Sequence, residues 1–262
     1  MLSGENKFDL LLLALRQYRK VAIAFSGGVD STLLLHAAMT ALGPENVITL
    51  HARSILNSAT SVAGSHEVFA KNFPQAAMRE ITLSPLSWQE FVANDENRCY
   101  YCKKRMYTAL QESMAVAGCT TLADGTNSDD QQDGRPGLRA VSELQVITPL
   151  ADAGLTKSEV RRLAKKFALS NHDLHSNSCL ATRISHNIPI VEKTLRVIEL
   201  AEHFLHNLGF LGCRVRVQRF CAIVEVQEKD LVAFVEQTNR AQVQAYFHSL
   251  CLGPIVLSLK GR

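Results

Sequence analysis

Apolar positions at Phe8, Leu11, Leu12 and Leu15 recur at helical spacing and predict a helix over 6–18. The continuous apolar run Val21-Ala22-Ile23-Ala24-Phe25 is too short for a helix and predicts a buried strand. The chain turns at Ser26-Gly27-Gly28-Val29-Asp30. From Ser31 helical spacing resumes at Leu33, Leu34, Ala37, Ala38 and Leu42, until Gly43-Pro44 stops it. Further strands are expected at Val47–Leu50, Arg79–Leu83, Thr120–Ala123 and Gln145–Thr148, with helices over 61–73 and Lys103–Ala117. Thr156-Lys157-Ser158-Glu159 carries the capping-box pattern and opens a helix that runs to about Phe167.

Strand and helix alternate in this way to about residue 170, which argues an α/β fold: a parallel, doubly wound sheet with helices on both faces. Beyond about residue 185 the texture changes. A helix over Glu192–Leu208 is followed by two alternating runs, Arg214–Gln218 and Ala222–Val226. Another helix, about 229–248, precedes a last strand at Pro254–Leu259. That is an α+β pattern, so a first domain over 1–175 and a smaller C-terminal one over 176–262 are expected.

Composition narrows the class. The chain has 262 residues and is 47% hydrophobic, ordinary for a globular protein and too apolar for a disordered one. Lys and Arg exceed Asp and Glu by 28 to 25, a net charge of +3, too small to argue for a nucleic-acid partner. No apolar run approaches the length of a membrane span. Met1–Lys20 is interrupted by Asp9, Arg16 and Arg19 and does not resemble a signal peptide, so a cytoplasmic protein without a membrane partner is expected. Seven cysteines, an odd number in such a chain, do not suggest a disulfide framework.

The candidate chemistry lies in two places. Ser26-Gly27-Gly28-Val29-Asp30-Ser31 joins a buried strand to a helix. There the first N–H groups of the helix are unpaired and its dipole favours an anion. The glycines let the backbone approach phosphate oxygens, and Ser26 and Ser31 add hydroxyls. The loop lysine of the Walker pattern is missing. The second place is Cys99-Tyr100-Tyr101-Cys102. A pair of thiols at that spacing serves zinc, a redox couple or an iron–sulfur cluster equally well. Cys179 lies in a polar stretch and is a candidate third ligand. Three thiolates leave one iron of a four-iron cluster open, whereas a structural zinc or unrelated thiols would be the plainer account. Cys119, Cys213, Cys221 and Cys251 lie in apolar or Gly-flanked surroundings and are expected to be small buried hydrophobes.

The SGGVDS segment after a strand resembles the PP-loop ATP pyrophosphatase superfamily, with its adenine nucleotide alpha hydrolase-like fold. That resemblance implies adenylation of a substrate oxygen with loss of pyrophosphate, Mg²⁺ neutralising the phosphates. A longer set of segments is more specific. It comprises CYYCK at 99–103, Asp124-Gly125-Thr126-Asn127 with Asp129-Asp130, and Arg135-Pro136-Gly137. It continues with Pro149-Leu150, Thr156-Lys157 with Glu159 and Arg161, Cys179-Leu180-Ala181 with Arg183, and Arg214-Val215-Arg216. In this order they resemble the LarE family of sulfur transferases.

The resemblance implies a pyridinium biscarboxylate mononucleotide as substrate. ATP activates a carboxylate, and sulfur replaces AMP to leave a thiocarboxylate. With Cys99, Cys102 and Cys179 all present, it implies a [4Fe-4S] cluster that passes on a bound sulfide taken from a sulfide donor. It assigns ATP to Ser26, Gly27, Gly28, Val29, Asp30, Ser31, Asp124, Gly125, Thr126 and Asn127. Arg135 is a candidate phosphate or carboxylate ligand, and Arg214 with Arg216 is expected on the substrate phosphate. A homo-oligomer is expected from the same likeness. The chain departs from the family where Thr182 stands for Ser and Ser185-His186-Asn187 for Pro-Tyr-Gly.

Glu202 is weighed as a metal-binding carboxylate, Arg161, Arg162, Lys165 and Lys166 as a solvated helix face, and His172, His175 and His186 as loop histidines beside Cys179. Competing functions are a cluster-dependent tRNA thiolase, an ATP-binding metal or redox sensor, and an ammonia-dependent amide synthetase.

Overall fold

The computed structural model describes residues 4–132, 136–174 and 178–262. They fall into two compact units. One comprises residues up to Ser54, Ala59–Leu83 and Cys99 onward to the loop ending near residue 176. The other comprises Ile55–Ser58, Ser84–Arg98 and the chain from residue 177 to Arg262.

The first unit holds a four-stranded, all-parallel sheet in the order β3-β2-β1-β4, with β1 Val21–Ala24, β2 Val47–Arg53, β3 Met78–Thr82 and β4 Leu122–Ala123. Its longer helices are α1 Gly4–Leu15, α2 Val29–Leu42, α3 Ala59–Asn72, α4 Arg98–Val116, of which Arg98 belongs to the second unit, and α5 Lys157–Lys166. The apolar run in β1 is explained by burial on both faces, since Val21, Ala22 and Ile23 are fully enclosed. Helix α2 is enclosed nearly all round, with Leu33, Leu34, Leu35, Ala37 and Ala38 fully buried against α1 and α5. The central strand and the helix that follows it are therefore the most firmly held part of this unit, and the turn between them inherits that rigidity.

The strand expected at Gln145–Thr148 does not form. Only Ile147 pairs, in a parallel bridge to Ala123. Gln145 takes a left-handed conformation (φ 52°), and Pro149 opens a helix that runs to Asp152, so there is no room for a longer ladder. Helix α4 begins at Arg98, five residues before the expected start, and takes the Cys99–Cys102 pair into its first turns.

The second unit has a three-stranded sheet, β5 Arg214–Val217, β6 Ala222–Glu225 and β7 Ile255–Leu257. Strands β5 and β6 pair antiparallel, and β6 and β7 pair parallel. Helices α6 Glu192–Asn207 and α7 Gln237–Ser249 pack on it around Phe210, Val215, Val224 and Phe247. The single helix expected over 229–248 is interrupted. A 3-10 turn at Glu228–Asp230 and a short helix at Leu231–Val235 precede Glu236, whose extended backbone (ψ 144°) separates them from α7. Asn94, fully buried, ties the segment before α4 to the stretch after Cys179: its Nδ2 donates to the carbonyls of Ser185 at 2.9 Å and Ile188 at 2.6 Å. Arg98 adds bonds to the Ala181 and Ile184 carbonyls at 3.0 and 3.3 Å.

Candidate active site

At the C-terminal end of β1 the phosphate loop is closed by its own side chains. Ser31 Oγ accepts from the Ser26 N–H at 3.2 Å and donates to the Gly28 carbonyl at 3.0 Å, and the two serine hydroxyls lie 3.1 Å apart. Ser26 Oγ also accepts from the Gly28 N–H at 3.3 Å. Gly28 is the N-cap of α2, with no side-chain cap, so the N–H groups of Val29, Asp30 and Ser31 are left without partners inside the helix. The loop therefore offers an anion a ring of donors at a positive helix end.

Gly27 is demanded twice over. Its φ is +77°, and a Cβ there would lie 2.5 Å from the Cβ of Ser65 on α3. Gly28 has a negative φ, and a Cβ would meet only Ser26 Oγ at 3.4 Å.

The segment after β4 seats directly on this helix end. A Cβ on Gly125 would come within 2.8 Å of the Ser31 nitrogen, so only glycine lets the two backbones touch. Asp124 is buried. One oxygen accepts from the Thr126 N–H at 3.0 Å and the other from the Tyr107 hydroxyl, with Lys103 Nζ 3.6 Å away. Burial, together with the Asp124 charge and this bond, pushes the Tyr107 phenol well above its usual range and keeps it a donor. Asn127 is buried too. Its Oδ1 accepts from the N–H groups of Asp129 and Asp130, at 3.0 and 3.1 Å, and its Nδ2 donates to Asp30 Oδ1 at 3.2 Å. The other oxygen of Asp30 pairs with Lys157.

The structure thus brings Ser26, Gly27, Gly28, Val29, Asp30, Ser31, Asp124, Gly125, Thr126 and Asn127 to one edge of the parallel sheet. In open α/β folds ligands bind at that edge. Arg135 lies outside the described residues.

Two residues of this edge carried no functional expectation of their own. Lys157 supplies the charge that balances Asp30, while Thr156 and Glu159 form the expected capping box around it. Asn171 is fully buried, and its Nδ2 donates to the Gly27 carbonyl at 2.8 Å and to Thr32 Oγ1 at 2.9 Å. Arg161, expected on a solvated face, holds the carbonyls of His172 and Leu174 at 3.0 and 2.8 Å, and so pins the loop that delivers Asn171.

All seven cysteines are thiols, none in a disulfide. Cys99 and Cys102 sit one turn apart at the start of α4 in the first unit, Cys99 exposed and Cys102 half-buried. A helix N-terminus stabilises thiolates. Cys179 belongs to the second unit. It is half-buried and caps a 3-10 turn, Leu180–Arg183, with its carbonyl accepting from Thr182 Oγ1 at 2.8 Å. Of the remaining four, Cys119 and Cys213 are buried as expected. Cys221 is half-exposed and Cys251 exposed: Cys221 lies in the turn just before β6 and Cys251 two residues beyond the end of α7. Burial and the nearby Glu202 carboxylate push the Cys213 thiol up to about 12. His186 is exposed, and His175 lies outside the described residues.

Arg214 and Arg216, two apart on β5, anchor a cationic cluster in the second unit. Arg216 bonds Glu225 at 2.6 Å and the Thr182 carbonyl at 3.1 Å. Arg214 Nε is buried without a partner among the described residues. Burial, then the like charges of Arg262, Arg183 and Arg216, bring Arg214 down to about 10. Arg262 is lowered by burial and by Arg183. A buried, unpaired guanidinium donor among like charges suits an anion. Glu202, weighed as a metal ligand, is buried and engaged otherwise: it pairs with Arg183 at 2.9 Å and accepts from the Val215 N–H at 3.0 Å.

No protein-family model matches the chain. It is 32% identical over 244 residues to the pyridinium-3,5-bisthiocarboxylic acid mononucleotide synthase of Lactiplantibacillus plantarum, covering 90% of this chain and 86% of that protein. It is 30% identical over 258 residues to an uncharacterized protein of Synechocystis, covering 98% and 95%. The tRNA(Ile)-lysidine synthase of Burkholderia mallei matches at 29% over 90% of this chain, but over only half of its own length. With the parallel sheet, the phosphate loop and near end-to-end similarity to that synthase, the chain belongs to the LarE family within the PP-loop superfamily.

Proposed function

We propose that this protein is an ATP-dependent sulfur transferase acting on a pyridinium biscarboxylate mononucleotide. A substrate carboxylate oxygen attacks the α-phosphorus of ATP and pyrophosphate leaves. Sulfide sulfur then attacks the acyl carbon, AMP leaves, and a thiocarboxylate remains. The observation that carries this reading is the similarity to the synthase over 90% of the chain, with SGGVDS at its β1–α2 turn.

The chain's own residues divide the work as follows. The Val29, Asp30 and Ser31 N–H groups and the Ser26 hydroxyl hold the pyrophosphate end of ATP. Asp30 already accepts from Asn127 and Lys157 with its two oxygens, so Mg²⁺ enters as the companion of the nucleotide phosphates. Lys157, so placed, is at hand to balance charge as pyrophosphate departs. In the second unit Arg214 and Arg216 hold the phosphate of the mononucleotide, for which the unpaired Arg214 Nε is the donor at hand. Cys99, Cys102 and Cys179 suit a [4Fe-4S] cluster by number and by the helical spacing of the first two, and such a group supplies sulfide at an iron that three thiolates leave open. No helix among the described residues is long and apolar enough to cross a membrane; a cytoplasmic location, where cysteines needed as thiolates are kept from pairing, is part of the same proposal.

Anaerobic preparation of the wild type and of C99A, C102A and C179A, with iron, sulfide and visible absorption measured on each, tests the thiol assignment. Pyrophosphate release in the presence of ATP and the mononucleotide tests the activation. Each substitution is expected to remove the iron and the thiocarboxylate product while leaving pyrophosphate release in place. Zinc in place of iron, lost in C99A and C102A but kept in C179A, or pyrophosphate release that requires tRNA, overturns the reading.

A further inference from the structure

Away from the phosphate loop's outer face, the β2–α3–β3 unit gathers two histidines and a carboxylate that the proposed reaction does not use. His51 on β2 stands in register with Glu80 on β3, so their side chains leave the same face of the parallel sheet. Helix α3, which connects these strands, lays His66 over both. His66 Nε2 lies 2.8 Å from Glu80 Oε1, and the two imidazoles are 5.8 Å apart, edge to face. One ligand atom from each of His51, His66 and Glu80 lies within 4.8 Å of the others.

The tautomer of His51 is fixed by its partners. Nδ1 is 2.9 Å from the Phe25 carbonyl, which can only accept, so Nδ1 carries the proton and Nε2 presents a lone pair. The group facing Nε2 is Ser65 Oγ at 3.4 Å, and that hydroxyl lies closer to another acceptor, the Val62 carbonyl at 2.8 Å. A buried imidazole with N–H on a backbone carbonyl and a lone pair turned toward a second imidazole and a carboxylate is the arrangement that orients a metal-binding histidine.

We infer that His51, His66 and Glu80 form a site for one divalent transition-metal ion of the zinc class. Ligands about 2.0–2.1 Å from such an ion lie roughly 3.3 Å from one another. The partly exposed His66 and Glu80 side chains close that distance by rotation, while His51 stays fixed. The ion takes the place of the hydrogen between His66 and Glu80: an imidazolium releases it to solvent, and a neutral ring carries its hydrogen on Nδ1 instead. Arg53, 3.8 Å from Glu80 Oε2, draws the second carboxylate oxygen and leaves Oε1 to the ion. Three protein ligands on a half-exposed face leave the remaining position to water.

The site also touches the phosphate loop from behind. His51 bonds Phe25, the residue before Ser26, and Ser65, beside His66, packs against Gly27.

The test must separate this site from the thiols. Zinc uptake is measured by equilibrium dialysis on the full chain carrying C99A, C102A and C179A, and on the wild type with its thiols blocked by methyl methanethiosulfonate, so that the result does not hang on one variant folding. Cobalt(II) in place of zinc reports the ligands by its visible spectrum. One zinc per chain is expected in both preparations, and the cobalt form should show nitrogen and oxygen ligation without a thiolate charge-transfer band. H66A and E80Q in the C99A/C102A/C179A background should each weaken zinc by more than the 10–100-fold typical of lost outer-shell partners. Absence of zinc from both preparations overturns the inference, as does binding that H66A and E80Q leave unchanged.

Discussion

At the phosphate loop the attraction for an anion is built from backbone. The donors are the N–H groups heading α2, and the charged side chains beside them, Asp30 and Lys157, cancel each other. In the second unit the attraction is built from side chains: Arg214 and Arg216, with Arg183 and Arg262 close enough to oppose them, and Glu202 and Glu225 compensating in part. The first site costs the empty protein little, because helix-end N–H groups are satisfied by water as readily as by phosphate. The second costs the empty protein more, because burial and then the like charges of its neighbours disfavour a charged Arg214. One site fails when the backbone path changes, the other when a charge is removed.

The largest effect is expected from G27A. The substitution forces a residue with a side chain into φ +77° and drives its Cβ to 2.5 Å from Ser65 Cβ. Left-handed backbone costs about 1–2 kcal/mol and overpacking about 1–3 kcal/mol. The loop must move to relieve them, so ATP-dependent pyrophosphate release should fall by more than about 100-fold, in keeping with the cost of an ångström-scale displacement. G28A, free of both constraints, should retain much of the activity. Equal losses in the two variants would mean that the loop's path is not what the first site depends on.

R214A acts on the other side of the comparison. Loss of a hydrogen bond to a charged group, about 1.5–3 kcal/mol, should weaken binding of the mononucleotide roughly 10–100-fold by calorimetry. The empty protein should melt no lower than the wild type, since a desolvated cation among like charges has been removed. Inorganic phosphate should raise the melting temperature of the wild type by more than that of R214A, which keeps only the phosphate loop as an anion site. Unchanged affinity would remove the second site from the proposal.

How much of this was legible in the chain follows from the same contrast. Backbone sites advertise themselves locally: a continuous apolar strand, a Gly pair and a helix that starts at once fix the phosphate loop within six residues. The alternation of strand and helix carried the parallel sheet, and it failed at Gln145–Thr148 because a left-handed residue and a proline bracket the run. Side-chain sites are assembled from afar. Arg214 and Arg216 are legible by their period of two, but nothing local announces that Arg183 and Arg262 join them. Asn171 was hidden for a similar reason. An asparagine in a polar loop reads as a turn residue, and only the fold shows it reaching Gly27.

N171A therefore probes the less legible half of the first site. It leaves the Gly27 carbonyl and the Thr32 hydroxyl without their shared donor, a loss of about 1–3 kcal/mol on chemical denaturation. Because the lost bond ends on Gly27, the KM for ATP should rise with it. A drop in stability with KM unchanged would make Asn171 a residue of the fold alone.

The smallest effect separates the units by pH. Cys213 is held as a thiol in the second unit, its pKa up from 9.0 to about 12 through burial and the Glu202 charge. Between these values the unfolded chain sheds the proton and the folded one keeps it. The contribution is thus fully present below pH 9 and is lost as pH rises toward 12. By pH 10 the loss is on the order of 1 kcal/mol. C213A should remove that part of the alkaline slope in denaturation series run between pH 8 and about 10.5. Y107F should remove a separate part that sets in later, since the buried Tyr107 phenol of the first unit starts from a higher ordinary value, 10.0. If the two variants together erase no more of the slope than C213A alone, then the phenol beside Asp124 is reached by solvent. In that case the rigidity ascribed to the first site does not extend to the segment seated on its helix end.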